Sequence, residues 1–248
     1  MSKSDKLGLQ IINLQSETEG CSDSQFFIKE KKFYRPDVIV IRADGIIFDV
    51  QNSLIDSIKQ TYKYFTGKSL ADKILLETLN LDFLCNHYQI LHYLIEQYGF
   101  NFAMHDVESK FNEIYWNDSC GLINNETLIV NTESLVKINR HCKLILLSDT
   151  LDVQLQYRLH KFHLTQYFNF ISSTNLNSNQ NAISLLKEKF NTEKIWLVSN
   201  SINDMKLSVS ENIWCVAINS FDDSSKMLFN NGADELYSDI NEMLKKYC

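Results

Sequence analysis

Charged residues follow a buried hydrophobic run near the start of the chain. Residues 38–41 are Val-Ile-Val-Ile, and Arg42, Ala43, Asp44 and Gly45 come directly after them. A short run of β-branched residues before a turn residue such as glycine predicts a buried strand followed by a sharp loop. Ligands of open parallel sheets bind where the carboxyl ends of the strands meet the loops. We therefore expect Arg42 and Asp44 to lie at the mouth of a site.

Apolar runs and helical segments alternate along the rest of the chain. Residues 52–65 have apolar side chains at helical spacing, and Gly67 predicts the end of that helix. Further strands are predicted at 144–147, 168–172, 195–198 and 213–218, and further helices at 132–140, 151–161, 181–190 and 205–209. Residues 232–244 predict a short strand and a final helix. Strands that alternate with helices specify a parallel sheet, so the predicted fold class is α/β.

The segment from residue 69 to about residue 127 has helical periodicity throughout. Its apolar-periodic stretches cover 71–79, 81–97 and 104–116. The chain is therefore predicted to have three parts, which are a polar N-terminal extension at 1–35, an α/β core at 36–51 and 128–248, and an all-helical insert at 52–127. The extension contains the aromatic residues Phe26, Phe27, Phe33 and Tyr34, which predict either a partly ordered tail or a segment that docks a partner.

The first strand and its loop resemble a known catalytic motif. The pattern hydrophobic-DxDGxxxD, followed by a polar residue and a helix, is the first motif of the haloacid dehalogenase superfamily, and residues 38–57 resemble it. The helical insert, residues 61–67 and the sequence Gly-Ala-Asp-Glu-Leu at 232–236 resemble the phosphoglycolate-phosphatase-like branch. The resemblance implies a Rossmann-like core with a parallel sheet flanked by helices, and an all-helical cap inserted after the first strand.

The resemblance also shows where this sequence departs from the family motif. The position of the family's nucleophilic aspartate is Arg42, and the position of its acid/base aspartate is Asp44. Phosphoryl transfer requires an oxygen nucleophile and a cation that offsets the charge on the equatorial oxygens. A guanidinium stays protonated and cannot attack phosphorus, and Mg²⁺ prefers anionic oxygen ligands. Arg42 is therefore incompatible with the chemistry that the motif implies.

Three further motif positions follow later strands. Ser148 matches the family's second motif, and its hydroxyl could hold a phosphate oxygen or cap the helix that follows. The third motif is a lysine, but its position falls near Asn177, and no lysine lies between Lys161 and Lys187. In the fourth motif Asn200 replaces the first aspartate, whereas Asp204 is retained.

The departures favour a protein that has lost phosphoryl transfer. Arg42, Asn177 and Asn200 stand for the nucleophile, the lysine and the first metal ligand, and we expect no cofactor. Such a protein would act by binding a partner protein or a small phosphorylated metabolite. The alternative is a Mg²⁺-dependent phosphatase with atypical residues, in which Asp44 and Asp204 would hold the metal.

Two arrangements of the remaining residues are compatible with binding. In the first, Arg42 forms a buried ion pair with Asp44 and Asp204, and its guanidinium stands in place of magnesium. In the second, Arg42, Asp44, Ser148 and loop N–H groups surround a phosphorylated ligand without cleaving it. A structure in which Arg42 points away from both carboxylates would contradict the first arrangement.

Composition excludes several other classes of protein. The chain has 248 residues, a formal net charge of −7 and no long basic run, which argues against nucleic acid as a partner. No apolar run is long enough for a membrane span, and no signal peptide is evident, so we expect a cytoplasmic protein. The six cysteines have no metal-binding spacing and are expected to be free thiols.

Overall fold

A parallel sheet forms the centre of the molecule. The structure is a computed structural model and describes residues 33–79, 86–117, 120–173, 182–219 and 223–247. The six strands of the sheet have the order β5-β4-β1-β6-β7-β8, with the bounds Val38–Arg42 (β1), Lys143–Leu147 (β4), Phe170–Ser172 (β5), Ile195–Ser199 (β6), Trp214–Ile218 (β7) and Glu235–Tyr237 (β8). All five pairings between neighbouring strands are parallel, as predicted.

Helices cover both faces of this sheet. The core helices are α5 (Thr132–Ile138), α6 (Asp152–Lys161), α7 (Ala182–Phe190), α8 (Ile202–Ser210), α9 (Asp223–Asn230) and α10 (Ile240–Tyr247). Ile39 and Ile41 of β1 pack with residues of α5, α6 and α10, whereas Val38 and Val40 pack with residues of α7, α8 and α9. The continuous apolar run of β1 thus fills two cores, because successive side chains of a strand point to opposite faces.

Four further helices form a layer of their own. These are α1 (Gln51–Thr66), α2 (Asp72–Leu79), α3 (His87–Gln97) and α4 (Met104–Tyr115), which we call the helical layer. They share a third hydrophobic cluster that includes Tyr62, Leu91 and Phe111. Asn86 caps α3 by accepting a hydrogen bond from the N–H of Gln89, and residues 81–85 of the predicted helix 81–97 lie outside the described residues.

A two-stranded ribbon connects the helical layer to the core. β2 (Phe48–Asp49) leads into α1, and β3 (Thr127–Leu128) leads back toward α5. The two strands are antiparallel, and Phe48 pairs with Leu128. The chain therefore enters and leaves the helical layer side by side, close to the carboxyl end of β1.

The end of the N-terminal extension packs at the amino ends of β6 and β7. The Tyr34 hydroxyl donates a hydrogen bond to the carbonyl of Ile195 and accepts one from the N–H of Trp214. Phe33 contacts the rings of Trp196 and Trp214, whereas Phe26 and Phe27 lie outside the described residues. Among the helices of the described residues, none is long and apolar enough to cross a membrane.

Candidate functional site

The carboxyl ends of β1, β4 and β6 bring the predicted site residues to one edge of the sheet. Arg42 is the last residue of β1 and is paired with Leu147, which directly precedes Ser148. Gly45 turns the loop after β1 with a φ of +73°. A Cβ atom on this glycine would lie 2.6 Å from the side-chain nitrogen of Asn200, so both the backbone conformation and the close approach require glycine.

Arg42 forms a bidentate ion pair with Asp204. Its Nε atom lies 2.6 Å from Oδ2 of Asp204, and its Nη2 atom lies 2.7 Å from Oδ1. The Asp204 side chain is 0% exposed and also accepts a hydrogen bond of 2.6 Å from the Ser199 hydroxyl. The Nη1 atom of Arg42 donates to Asp149 at 2.7 Å, and the Asp149 side chain is 49% exposed. The ion pair expected between Arg42 and Asp204 is therefore present.

The charges around Arg42 keep its guanidinium protonated. Burial lowers the pKa of Arg42, but the hydrogen bonds and charges of Asp204 and Asp149 outweigh burial and raise that pKa above its ordinary value. Two parallel N–H···O bonds to a carboxylate are the strongest arrangement available to arginine. Arg42 therefore carries a fixed positive charge at the end of β1.

Asp44 does not form the ion pair with Arg42 that the sequence predicted. Its Oδ1 atom instead lies 2.8 Å from Nη1 of Arg158, and its Oδ2 atom accepts a hydrogen bond of 3.1 Å from the Ser148 hydroxyl. The reason is geometric, since β1 lies between β4 and β6. The Arg42 guanidinium reaches Asp204 after β6 and Asp149 after β4. Both oxygens of Asp44 are already engaged by residues that follow β4. Burial raises the pKa of Asp44 and outweighs the opposing effects of Arg158 and Ser148.

Arg158 is a functional candidate that sequence reasoning missed. It lies in the last turn of α6, where a charged residue is usually solvated, yet its side chain is only 1% exposed. Its spacing from Leu155 and Leu159 places it on the buried face of that helix. An arginine on the apolar face of a helix was the signal that could have identified it.

The Ser148 hydroxyl is engaged within the site. Besides donating to Asp44, its oxygen accepts the N–H of Thr150 at 3.1 Å and lies 2.7 Å from the Thr150 hydroxyl. It does not cap the helix that follows, because the N-cap position of α6 is Leu151. Of the two roles that the sequence left open for Ser148, the structure therefore does not support the helix cap.

The remaining motif positions contribute no charge. Asn200 is exposed, and its side-chain nitrogen lies 3.5 Å from the carbonyl oxygen of Asp44, which is the limit for a hydrogen bond. Asn203, also in the fourth motif, is exposed. Asn177 lies outside the described residues.

The residues at this edge do not fit a magnesium ion. Both carboxylate oxygens of Asp204 accept hydrogen bonds from Arg42, and both oxygens of Asp44 accept hydrogen bonds from Arg158 or Ser148. Mg²⁺ demands near-octahedral oxygen coordination at about 2.1 Å, which these occupied carboxylates cannot supply beside a guanidinium. Among the described residues, no group of three or more His, Cys, Asp or Glu side chains is arranged to hold a metal.

Comparison with solved structures identifies the fold. No family model and no curated protein matches the chain. A haloacid dehalogenase-like hydrolase from Streptococcus pneumoniae superimposes with a TM-score of 0.68 at 13% identity, over 86% of this chain and 99% of the other. A predicted phosphoglycolate phosphatase from Haemophilus somnus gives 0.67 at 17% identity, over 86% and 98%. A phosphatase from Thermococcus thioreducens gives 0.62 at 17% identity, over 85% and 98%. These likenesses confirm the predicted fold.

Proposed function

We propose that this chain, which has the fold of the haloacid dehalogenase-like phosphatases, does not hydrolyse phosphate esters and acts by binding a partner protein. The bidentate pair between Arg42 and Asp204 carries the proposal. It involves a guanidinium at the position that the resemblance assigns to the family's nucleophile. The pair also engages both carboxylate oxygens of Asp204, which is the acidic residue that remains in the fourth motif.

The charge balance disfavours a phosphorylated ligand at this edge. Among the described residues, two guanidiniums, those of Arg42 and Arg158, face four carboxylates, which belong to Asp44, Glu126, Asp149 and Asp204. An anion that entered would meet arginines whose charges are already compensated, and it would have to displace a carboxylate. A partner protein is therefore the better supported of the two kinds of ligand.

Hydrolysis of a generic phosphate ester tests the proposal. We expect purified protein with Mg²⁺ and p-nitrophenyl phosphate to release no product above the buffer rate. The variant Arg42→Asp should also be inactive, because Asn177 and Asn200 still lack the charges that the resemblance implies. Mg²⁺-dependent turnover of the unaltered protein that is lost in Asp44→Asn would overturn the proposal.

A second experiment separates a protein partner from a phosphorylated ligand. Thermal unfolding is measured without Mg²⁺ in the presence of inorganic phosphate and of small phosphate esters. A ligand that binds only the folded state raises the melting temperature with concentration. We expect no shift beyond that produced by sodium chloride at equal ionic strength. A specific shift that is absent in Arg42→Met would instead favour the phosphorylated ligand.

Magnesium-dependent phosphatase activity is the second candidate function. It is favoured by the shared fold, since the structural neighbours include phosphatases, and by the presence of Asp44 and Asp204 at the carboxyl ends of the strands. It requires both carboxylates to exchange their arginine partners for a metal. The same turnover assay discriminates the two candidates.

A further inference from the structure

A buried ion pair lies between the core and the helical layer. Glu126 precedes β3, and its side chain is 0% exposed. Its Oε2 atom accepts a hydrogen bond of 2.6 Å from Nε of Arg158, and its Oε1 atom accepts one of 3.1 Å from Nη2. Arg158 belongs to α6 of the core, so this bidentate pair joins the core to the segment through which the chain leaves the helical layer.

Two helices of the helical layer contact the same carboxylate. The Tyr115 hydroxyl at the end of α4 donates a hydrogen bond of 2.8 Å to Oε1 of Glu126, and the hydroxyl oxygen of Ser53 in α1 lies 2.9 Å from that atom. Tyr115 also accepts a hydrogen bond from Nη2 of Arg158. Glu126 thus has polar contacts with α1, α4 and α6 at once.

The remaining nitrogen of the Arg158 guanidinium contacts residues of the core. Nη1 of Arg158 donates to Asp44 at 2.8 Å and to the Thr150 hydroxyl at 3.3 Å. With the contacts to Glu126 and Tyr115, all five N–H groups of Arg158 have an acceptor. A fully satisfied guanidinium between two carboxylates holds its partners in a single geometry.

A second set of contacts joins α6 to the segment through which the chain leaves the helical layer. The Lys161 ammonium donates to the carbonyl oxygens of Asn124 and Glu126, both at 2.8 Å. The Tyr157 hydroxyl donates to the Asn124 side chain, and its ring meets the Trp116 ring edge-on with centroids 5.1 Å apart. Tyr157, Arg158 and Lys161 are neighbours on one face of α6.

We infer that Arg158 and Glu126 form a latch that keeps the helical layer closed over the carboxyl ends of the strands. Opening of the layer would separate the two side chains and leave a buried charge without its partner, which is strongly unfavourable. The helical layer then serves as a fixed lid rather than a gate. The latch is independent of the proposed function, because layer opening and ester hydrolysis have separate readouts.

Hydrogen exchange of the full-length chain tests the latch. In the unaltered protein we expect amides of residues 104–115 and 122–128 to be as protected as those of β1 and β4. In Arg158→Lys, which keeps the charge but loses the bidentate geometry, exchange in these segments should rise by about tenfold or more. Exchange in β6 and β7, which reports any loss of global stability, should rise less than exchange in these segments.

Two further variants keep the test decisive. Arg42→Lys is the matched control, because Arg42 contacts Asp149 and Asp204 of the core, and it should raise exchange in residues 104–128 by no more than exchange in β6 and β7. Tyr115→Phe removes only a hydroxyl and should give a smaller increase confined to the same segments. If Arg158→Lys raises exchange throughout the chain, the exchange pattern of Tyr115→Phe becomes the test of the latch. Equal exchange in residues 104–128 for Tyr115→Phe and Arg42→Lys would overturn the latch.

Discussion

Arg42 and Arg158 are both buried at the carboxyl edge of the sheet, yet their partners come from different parts of the molecule. Arg42 binds Asp204 and Asp149, which belong to the core. Arg158 binds Asp44 of the core and Glu126, which also contacts two helices of the helical layer. The two guanidiniums have the same chemistry and neighbouring positions, but only one of them joins two layers.

The comparison shows that the effect of a buried guanidinium depends on where its acceptors are anchored. Around Arg42 the acceptors follow β4 and β6, so the pair fixes the carboxyl ends of the central strands relative to one another. Around Arg158 the acceptors also include Glu126, which lies in the segment that leads back from the helical layer. We therefore expect substitution of either arginine to lower global stability, and only substitution of Arg158 to promote local opening of the helical layer.

The largest expected effect is that of Arg158→Met. The substitution leaves the fully buried Glu126 carboxylate without its cation, and breaking one partner of a buried ion pair costs about 3–5 kcal/mol. The free energy of unfolding is measured by equilibrium urea denaturation. The loss should exceed that of Arg42→Met, and a loss below about 1 kcal/mol would show that Glu126 is solvated or protonated without Arg158.

Arg42→Met should destabilise by about 3 kcal/mol, near the lower end of the range for a broken buried pair. Asp204 loses its cation but retains the hydrogen bond from the Ser199 hydroxyl. The double variant Arg42→Met/Asp204→Leu removes both charges and should recover most of the loss in the same urea experiment. Strictly additive losses in the double variant would contradict an interaction between the two side chains.

The pH dependence of stability separates Asp44 from its neighbours. Because burial raises the pKa of Asp44 in the folded state, its carboxyl binds a proton more tightly than in the unfolded chain, where the ordinary value is 3.8. This contribution is fully present below pH 3.8 and is lost as the pH rises through the folded-state pKa. The free energy of unfolding of Asp44→Asn should therefore lack this decline, which is measured against the unaltered protein as the pH is raised from 3.8. Identical pH profiles would contradict the raised pKa.

Asp149→Asn should have the smallest effect, about 0–1 kcal/mol, because the Asp149 side chain is half exposed and its ion pair with Arg42 is screened by solvent. The difference in urea midpoint should shrink further in 1 M sodium chloride. A loss as large as that of Arg42→Met would show that Asp149, rather than Asp204, is the principal partner of Arg42.

The long elements of the fold were predictable from hydrophobic pattern alone. The run at 38–41 gave β1 and its two buried faces, and periodicity gave α1 and α4 nearly to their observed ends. β2 and β3 were missed because two-residue strands have no measurable period. The helix at 223–230 was missed because its first turn is polar and resembles a loop.

The site was only partly predictable for a different reason. Arg42 and Asp204 follow strands of a parallel sheet, so their meeting follows from topology and chain order. Arg158 lies in the last turn of a helix, and its partner Glu126 lies in a connection that has no strong pattern. Their contact depends on how α6 packs against the segment that contains Glu126. No short sequence motif encodes this packing.

Calorimetric titration of Mg²⁺ into the purified protein tests the central claim most directly, because the arginine pair and a magnesium ion compete for the Asp204 carboxylate. With Arg42 held at 2.6 Å from that carboxylate, we expect no saturable heat at millimolar Mg²⁺. Circular dichroism confirms that the protein used is folded. Saturable binding of one Mg²⁺ per chain that disappears in Asp204→Ala would contradict the claim and identify a functional metal site.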